Sequence, residues 1–229
     1  DIDDAMLVAY NWADKTMNGA NPYENSFIDY PWGFETLSEE YMQCENYGFM
    51  SCATAYFKLD QNVTNDTIYL VSYDLYALPS SGHSKSEMNV YCKVDSNSTF
   101  GRYQSLISTS PETTHGQSNF DVSLDPEIAG ISAYVSWSYT EKDVKIDNKS
   151  NLNTNTIEIN HNIDERKIVG SKGYHILPGA LIKVSSEGNG GYYGTDIYST
   201  KFCDVVISGL WHNNFKMYQM PVEVCTING

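Results

Sequence analysis

The sequence predicts an all-β protein, an antiparallel β-sandwich of jelly-roll-like type with an N-terminal helix or extended arm. Three observations lead there. Runs of alternating apolar and polar residues, rich in Val, Ile, Thr, Tyr and Phe, recur between clusters of Gly, Pro, Asn, Asp and Ser. No second helical pattern separates them. The composition, 13% aromatic with 18 Tyr and 19% charged residues, suits a β core better than a helical bundle or a disordered tail. A length of 229 residues fits one large sandwich, so residues 1–20 read as an arm or helix and 21–229 as a single domain.

In chain order, residues 4–17 place Met6, Leu7, Tyr10 and Met17 near helical spacing, with Asp3 or Asp4 as caps and Asn18-Gly19 as a stop. The same segment serves equally as an extended arm through Met6, Leu7, Val8, Tyr10 and Trp12. From Asn21 to Gly48, Pro22, Pro31 and Gly33 among many aromatics predict a long ordered loop with at most a short helix around "TLSEEYM". At Phe49 the period becomes two. "FMSCATAYFKL" assigns Phe49, Ser51, Ala53, Ala55, Phe57 and Leu59 to the inner face and turns Cys52 away from it. Further strands are expected over 67–78, 88–95, 130–139, 155–160, 174–185, 194–210 and 214–225. In "GISAYVSWSY" the alternation is strict: Ile131, Ala133, Val135 and Trp137 against Ser132, Tyr134, Ser136 and Ser138. Residues 96–118 and 185–194 read as loops, and no fixed-period repeat suggests a solenoid.

The charge excludes one class of partner. Fourteen basic against 29 acidic residues give a net charge of -15, which repels phosphate backbones, so nucleic acid is not an expected partner. The acidity reads as a solvated surface or as calcium-binding oxygens. No stretch reaches the roughly 18 apolar residues of a membrane-spanning helix. The chain begins at Asp1, which predicts removal of a signal peptide and hence a secreted, extracellular or cell-surface protein. Sequons at Asn62, Asn65, Asn97 and Asn148 predict N-linked glycans.

Enzyme motifs are missing. The sequence has no His-Glu-x-x-His, Gly-x-Ser-x-Gly, phosphate-binding glycine loop or Cys-x-x-Cys, and no catalytic residue is assigned. A glycoside hydrolase needs only two carboxylates placed by the fold, so that class stays third among the readings. In "NHNIDERKIVG", His161, Asp164 and Glu165 form the densest candidate metal cluster, or else a polar turn. Trp32, Tyr192, Tyr193 and Trp211 can stack on sugar rings or fill the core.

Five cysteines leave at least one without an intramolecular partner. Cys92 and Cys203, each in step with apolar residues of its strand, are candidates for a bridge across the core, and Cys44 with Cys52 for a local loop. That leaves Cys225 as a free or intermolecular thiol.

The segments "ISAYVSWSYTEKDVKIDNKSN", "HNIDERKIVG" and "YHILPGALIKV", within residues 130–184, resemble secreted β-rich surface proteins of methanogenic archaea, of the sheath or filament type. The resemblance implies a surface or assembly role and carries over no catalytic residue. The expected function is therefore a self-associating structural subunit of an extracellular filament, tube or sheath. Strand pairing through the N-terminal arm joins the subunits, with intermolecular disulfides as a lock. The alternative is a carbohydrate-binding cell-surface protein.

Overall fold

In a computed structural model the described residues are 35–59, 67–94, 104–114, 119–124, 135–140, 144–163, 173–184, 193–204 and 215–226. The chain divides into two units, Asp1–Phe34 and Glu35–Gly229, and all described residues belong to the second. The expected arm, with Met6, Leu7, Val8, Tyr10 and Trp12, lies outside the described residues.

The second unit is an antiparallel β-sandwich. Its strands are β1 (Glu35–Cys44), β2 (Gly48–Leu59), β3 (Thr67–Pro79), β4 (His83–Val94), β5 (Gln104–Ser110), β6 (Asn119–Leu124) and β7 (Val135–Thr140). They continue with β8 (Val144–Asn148), β9 (Thr156–Ile163), β10 (Tyr174–Ile176), β11 (Gly179–Val184), β12 (Tyr193–Asp204) and β13 (Phe215–Thr226). The first sheet runs β1-β2-β3-β11-β5, with β10 also on β3; the second runs β13-β12-β4-β9-β8; β6 and β7 form a separate hairpin.

Cross-sheet contacts fix which residues face inward. Thr54 Oγ1 donates to Asp196 Oδ2 at 2.7 Å and lies 2.6 Å from the Tyr198 hydroxyl, which donates to the Ala53 carbonyl at 2.9 Å. The inner face of β2 is therefore Met50, Cys52 and Thr54, the opposite of the set the alternation selects. The reason is that Ala53 and Ala55 are buried as well, and β3 is buried along nearly its whole length on both faces. A strand covered on both sides loses the contrast that reveals its orientation. In the second sheet the inward set is Met88, Val90, Cys92, Ile146, Ile157, Ile159, His161, Tyr198 and Phe202, each side chain fully buried. Burying a large apolar side chain of this kind stabilises the fold by about 1.5–3 kcal/mol.

Local chemistry closes the turns. Glu45 adopts a left-handed conformation (φ 50°) in the β1–β2 turn, where Tyr47 N donates to Cys44 O at 2.9 Å. Gly48 follows with φ 156°, and a Cβ there would stand 2.3 Å from the Leu78 carbonyl oxygen. Between β8 and β9 a 3-10 turn (Leu152–Thr154) is capped by Asn151, whose side chain accepts from Asn153 N and Thr154 N. Asn155 then links the sheets, accepting from Leu106 N at 2.9 Å and donating to Gln104 O at 3.2 Å.

Several expectations are corrected here. "TLSEEYM" lies in β1 rather than in a helix, because pairing with Gly48 to Tyr56 of β2 outweighs the helix propensity of Glu, Leu and Met. Residues 104–110, read as loop, form β5, whose Ser- and Thr-rich sequence is held by β11. The expected strand over 174–185 is two strands on β3, since Pro178 has no N–H for the ladder and offers its carbonyl to Tyr73 N at 2.9 Å.

Candidate functional site

The cysteine assignments fail on register. Cys44, Cys52, Cys92 and Cys203 are all buried, and none of them forms a disulfide. Cys52 pairs with Glu40, four residues from Cys44, which puts the two cysteines roughly 13 Å apart along the ladder; a disulfide needs Cα atoms about 4.4–6.8 Å apart. Cys92 pairs with Asp196, seven residues from Cys203. Those two lie on opposite faces of one sheet, so no bridge can cross the core between them. Burial pushes the Cys44 thiol up to about 12, which makes it a poor nucleophile. Cys225 stands in β13 opposite Gly194, and its side chain is outside those described.

His161 is not at a surface site either. It lies fully buried on the inner face of β9, between the β4 and β8 residues Met88 and Ile146, and burial holds its imidazole down at about 3. An apolar cleft of this kind keeps the ring neutral. Asp164 and Glu165 lie outside the described residues, among which no three His, Cys, Asp or Glu gather as a metal site.

Asn148 Nδ2 donates to Thr109 Oγ1 at 3.1 Å and to Pro111 O at 2.8 Å, so a glycan on that nitrogen would displace at least one of these bonds. Asn62, Asn65 and Asn97 lie outside the described residues, as do Trp32, Tyr192 and Trp211. Tyr193 begins β12 opposite Thr226.

The hairpin β6–β7 carries the pattern that the sequence showed only in part. Its register pairs Phe120 with Tyr139, Val122 with Trp137 and Leu124 with Val135. The intervening pairs are Asn119 with Thr140, Asp121 with Ser138 and Ser123 with Ser136. Apolar and polar pairs thus alternate without exception, and one charged residue occurs among twelve. Of the strand expected over 130–139, residues 130–134 fall outside the described residues.

The edge strands differ in what they present. β13 carries Phe215 and Met217, both more than 40% exposed, at alternate positions. Lys201 Nζ sits 4.7 Å above the Phe215 ring, and Lys216 pairs with Glu45 of the β1–β2 turn. That ion pair holds the Glu45 carboxyl below its ordinary value and Lys216 above it. No helix among the described residues is long and apolar enough to cross a membrane, which leaves strands untouched.

No family model matches the sequence, and no curated protein matches it. Among solved structures, a pore forming protein aligns with a TM-score of 0.50 at 8% identity, over 85% of this chain and 89% of that one. Clostridium perfringens delta-toxin aligns with a TM-score of 0.44 at 10% identity, over 85% and 87%. The likeness to the pore forming protein is one of fold.

Proposed function

We propose that the protein is a non-enzymatic, self-associating extracellular protein that perforates a lipid bilayer by inserting the β6–β7 hairpin from each subunit. The register of that hairpin carries the reading. A strand that crosses a bilayer must satisfy its backbone within a closed barrel and alternate apolar with polar residues. The required length is about 9–11 residues per strand. The observed pairs have residue numbers that sum to 259, and the sequence keeps the alternation if the sum is continued in the inserted state. Beyond the described pairs the sequence itself continues the alternation, with Pro126 and Ile128 before Ala129-Gly130 and Ile131 and Ala133 after it. The shared fold with a pore forming protein supports the same reading.

Release of a trapped dye from phosphatidylcholine vesicles tests it. The full chain should release dye with steep concentration dependence, and Val122→Asp, which places a charge in the apolar row, should abolish release without changing the thermal midpoint by more than a few degrees. Absence of release by an oligomeric protein, or release by the Val122→Asp variant at the wild-type rate, would overturn the proposal.

A second reading, a filament, tube or sheath subunit, is favoured by Phe215 and Met217 on an edge strand, since an exposed apolar edge pairs with other chains. It predicts ordered polymers in lipid-free buffer by electron microscopy. Removal of residues 1–14 should dissolve them if the arm supplies the added strand.

A further inference from the structure

The register of the β6–β7 hairpin divides its charges as well as its apolar residues. Residues opposite each other in an antiparallel pair share a face of the sheet, and successive pairs alternate between faces. The three apolar pairs therefore make one row, and Asn119, Asp121, Ser123, Ser136, Ser138 and Thr140 make the other. The polar row contains one acid, Asp121, and no base. The sequence continues in the same sense. Asp125 and Glu127, outside the described residues, fall at the same alternate positions, and no Lys, Arg or His occurs from Asn119 to Thr140.

Other strands that meet water in this protein are composed differently. β8 and the residue after it carry Lys145, Asp147 and Lys149, with Lys149 Nζ 3.4 Å from the Asp147 carboxylate. β12 and β4 set Lys201 opposite Glu87. Charges of both signs are interspersed there, and the local field is small. The polar row of the hairpin has charge of one sign only.

A closed barrel turns such charges into rings. Its apolar row faces lipid and its polar row lines the lumen. Each subunit supplies one hairpin, so every polar position recurs around the lumen once per subunit. Rings of Asp or Glu favour cations, and rings of Lys or Arg favour anions. We infer, on the pore reading above, that the pore is selective for cations and that the ring of Asp121 is one of the elements that set this preference.

Distance decides how the rings act together. In an extended strand of about 3.4 Å per residue, position 121 stands about 14 Å from position 125, whereas 125 and 127 are about 7 Å apart. The Debye length is about 8 Å at physiological salt and about 30 Å at roughly 0.01 M. The Asp121 ring therefore acts separately in physiological salt. In dilute salt its field merges with that of the other acids, and selectivity rises.

Single pores of the full chain in a planar phosphatidylcholine bilayer, with unequal potassium chloride on the two sides, provide the test. The reversal potential gives the permeability ratio of one pore, whatever the number that open. Potassium should pass about tenfold more readily than chloride in dilute salt, and the ratio should fall as salt is raised. Asp121→Asn should lower the ratio about threefold, and its combination with Asp125→Asn and Glu127→Gln should bring it to about one. A wild-type ratio of one or below overturns the inference and leaves the pore reading standing. So does an Asp121→Asn pore with the wild-type ratio in dilute and physiological salt alike. If neither variant opens pores, the wild type decides, and a ratio that does not rise on dilution overturns the assignment. A wild type that opens no pore refutes the pore reading, and this selectivity with it.

Discussion

The two sheets are built on different terms. In the first, β2 and β3 are buried on both faces, with Leu70, Ser72, Asp74, Ala53 and Ala55 closed off on the side away from the sandwich core. In the second, the inner face sets Asp196, Thr200 and His161 among apolar residues, while the outer face carries Gln219, Ser199, Asn89, Asn160 and Asp147, of which Ser199 and Asn160 are buried and the others at least partly exposed. The first sheet is covered on both faces along β3, whereas the outer face of the second is covered only in part.

Mutations at matched positions would break or sharpen that contrast, beginning with the largest. Leu70→Ala, on the outer side of the first sheet, should cost about 2–5 kcal/mol in urea unfolding, as a core truncation does. Glu87→Ala on the outer side of the second should change stability by no more than about 0.5 kcal/mol. Equal losses at the two positions would remove the distinction.

Acid tests the inner face of the second sheet. His161 takes up its proton at about 3 when folded and near 6.5 when unfolded. Above pH 6.5 both states are neutral and the residue is silent. Between 6.5 and 3 only the unfolded chain binds the proton, so stability should fall by about 1.4 kcal/mol per pH unit from this group. His161→Leu should flatten that part of the pH profile relative to the wild type; parallel profiles would place His161 in contact with water.

The tie between the sheets ranks next. Tyr198→Phe removes the donor to Ala53 O and the partner of Thr54 Oγ1, and should lower stability by about 1–3 kcal/mol in urea titrations. At the foot of the series, Glu45→Gln breaks an exposed ion pair with Lys216 and should leave the unfolding midpoint unmoved at physiological salt.

Legibility followed the same division. Most strands of the second sheet were visible, since β4, β9, β12 and β13 lie within or near ranges that the alternation marks. β2 was visible as a strand and wrong in orientation, because Ala53 and Ala55 look inward by composition and are indeed buried, but on the far side. β1 hid behind residues of good helix propensity, and β5 behind Ser and Thr. The tie between the sheets could not be read at all, because Thr54 is far in the chain from Asp196 and Tyr198 and meets them only when the two sheets pack. The hairpin was half legible: "GISAYVSWSY" announced its alternation, while the matching residues of β6 became significant only once register paired them.

By itself the sequence determined that this chain makes antiparallel strands and carries a net charge of -15, because side-chain period and net charge are local or additive properties. The tertiary structure alone decided which face of β2 meets the other sheet, that Cys92 and Cys203 cannot meet, and that His161 is core. Those outcomes depend on register and on what covers each face, and a shift of one residue in pairing would have reversed every one of them.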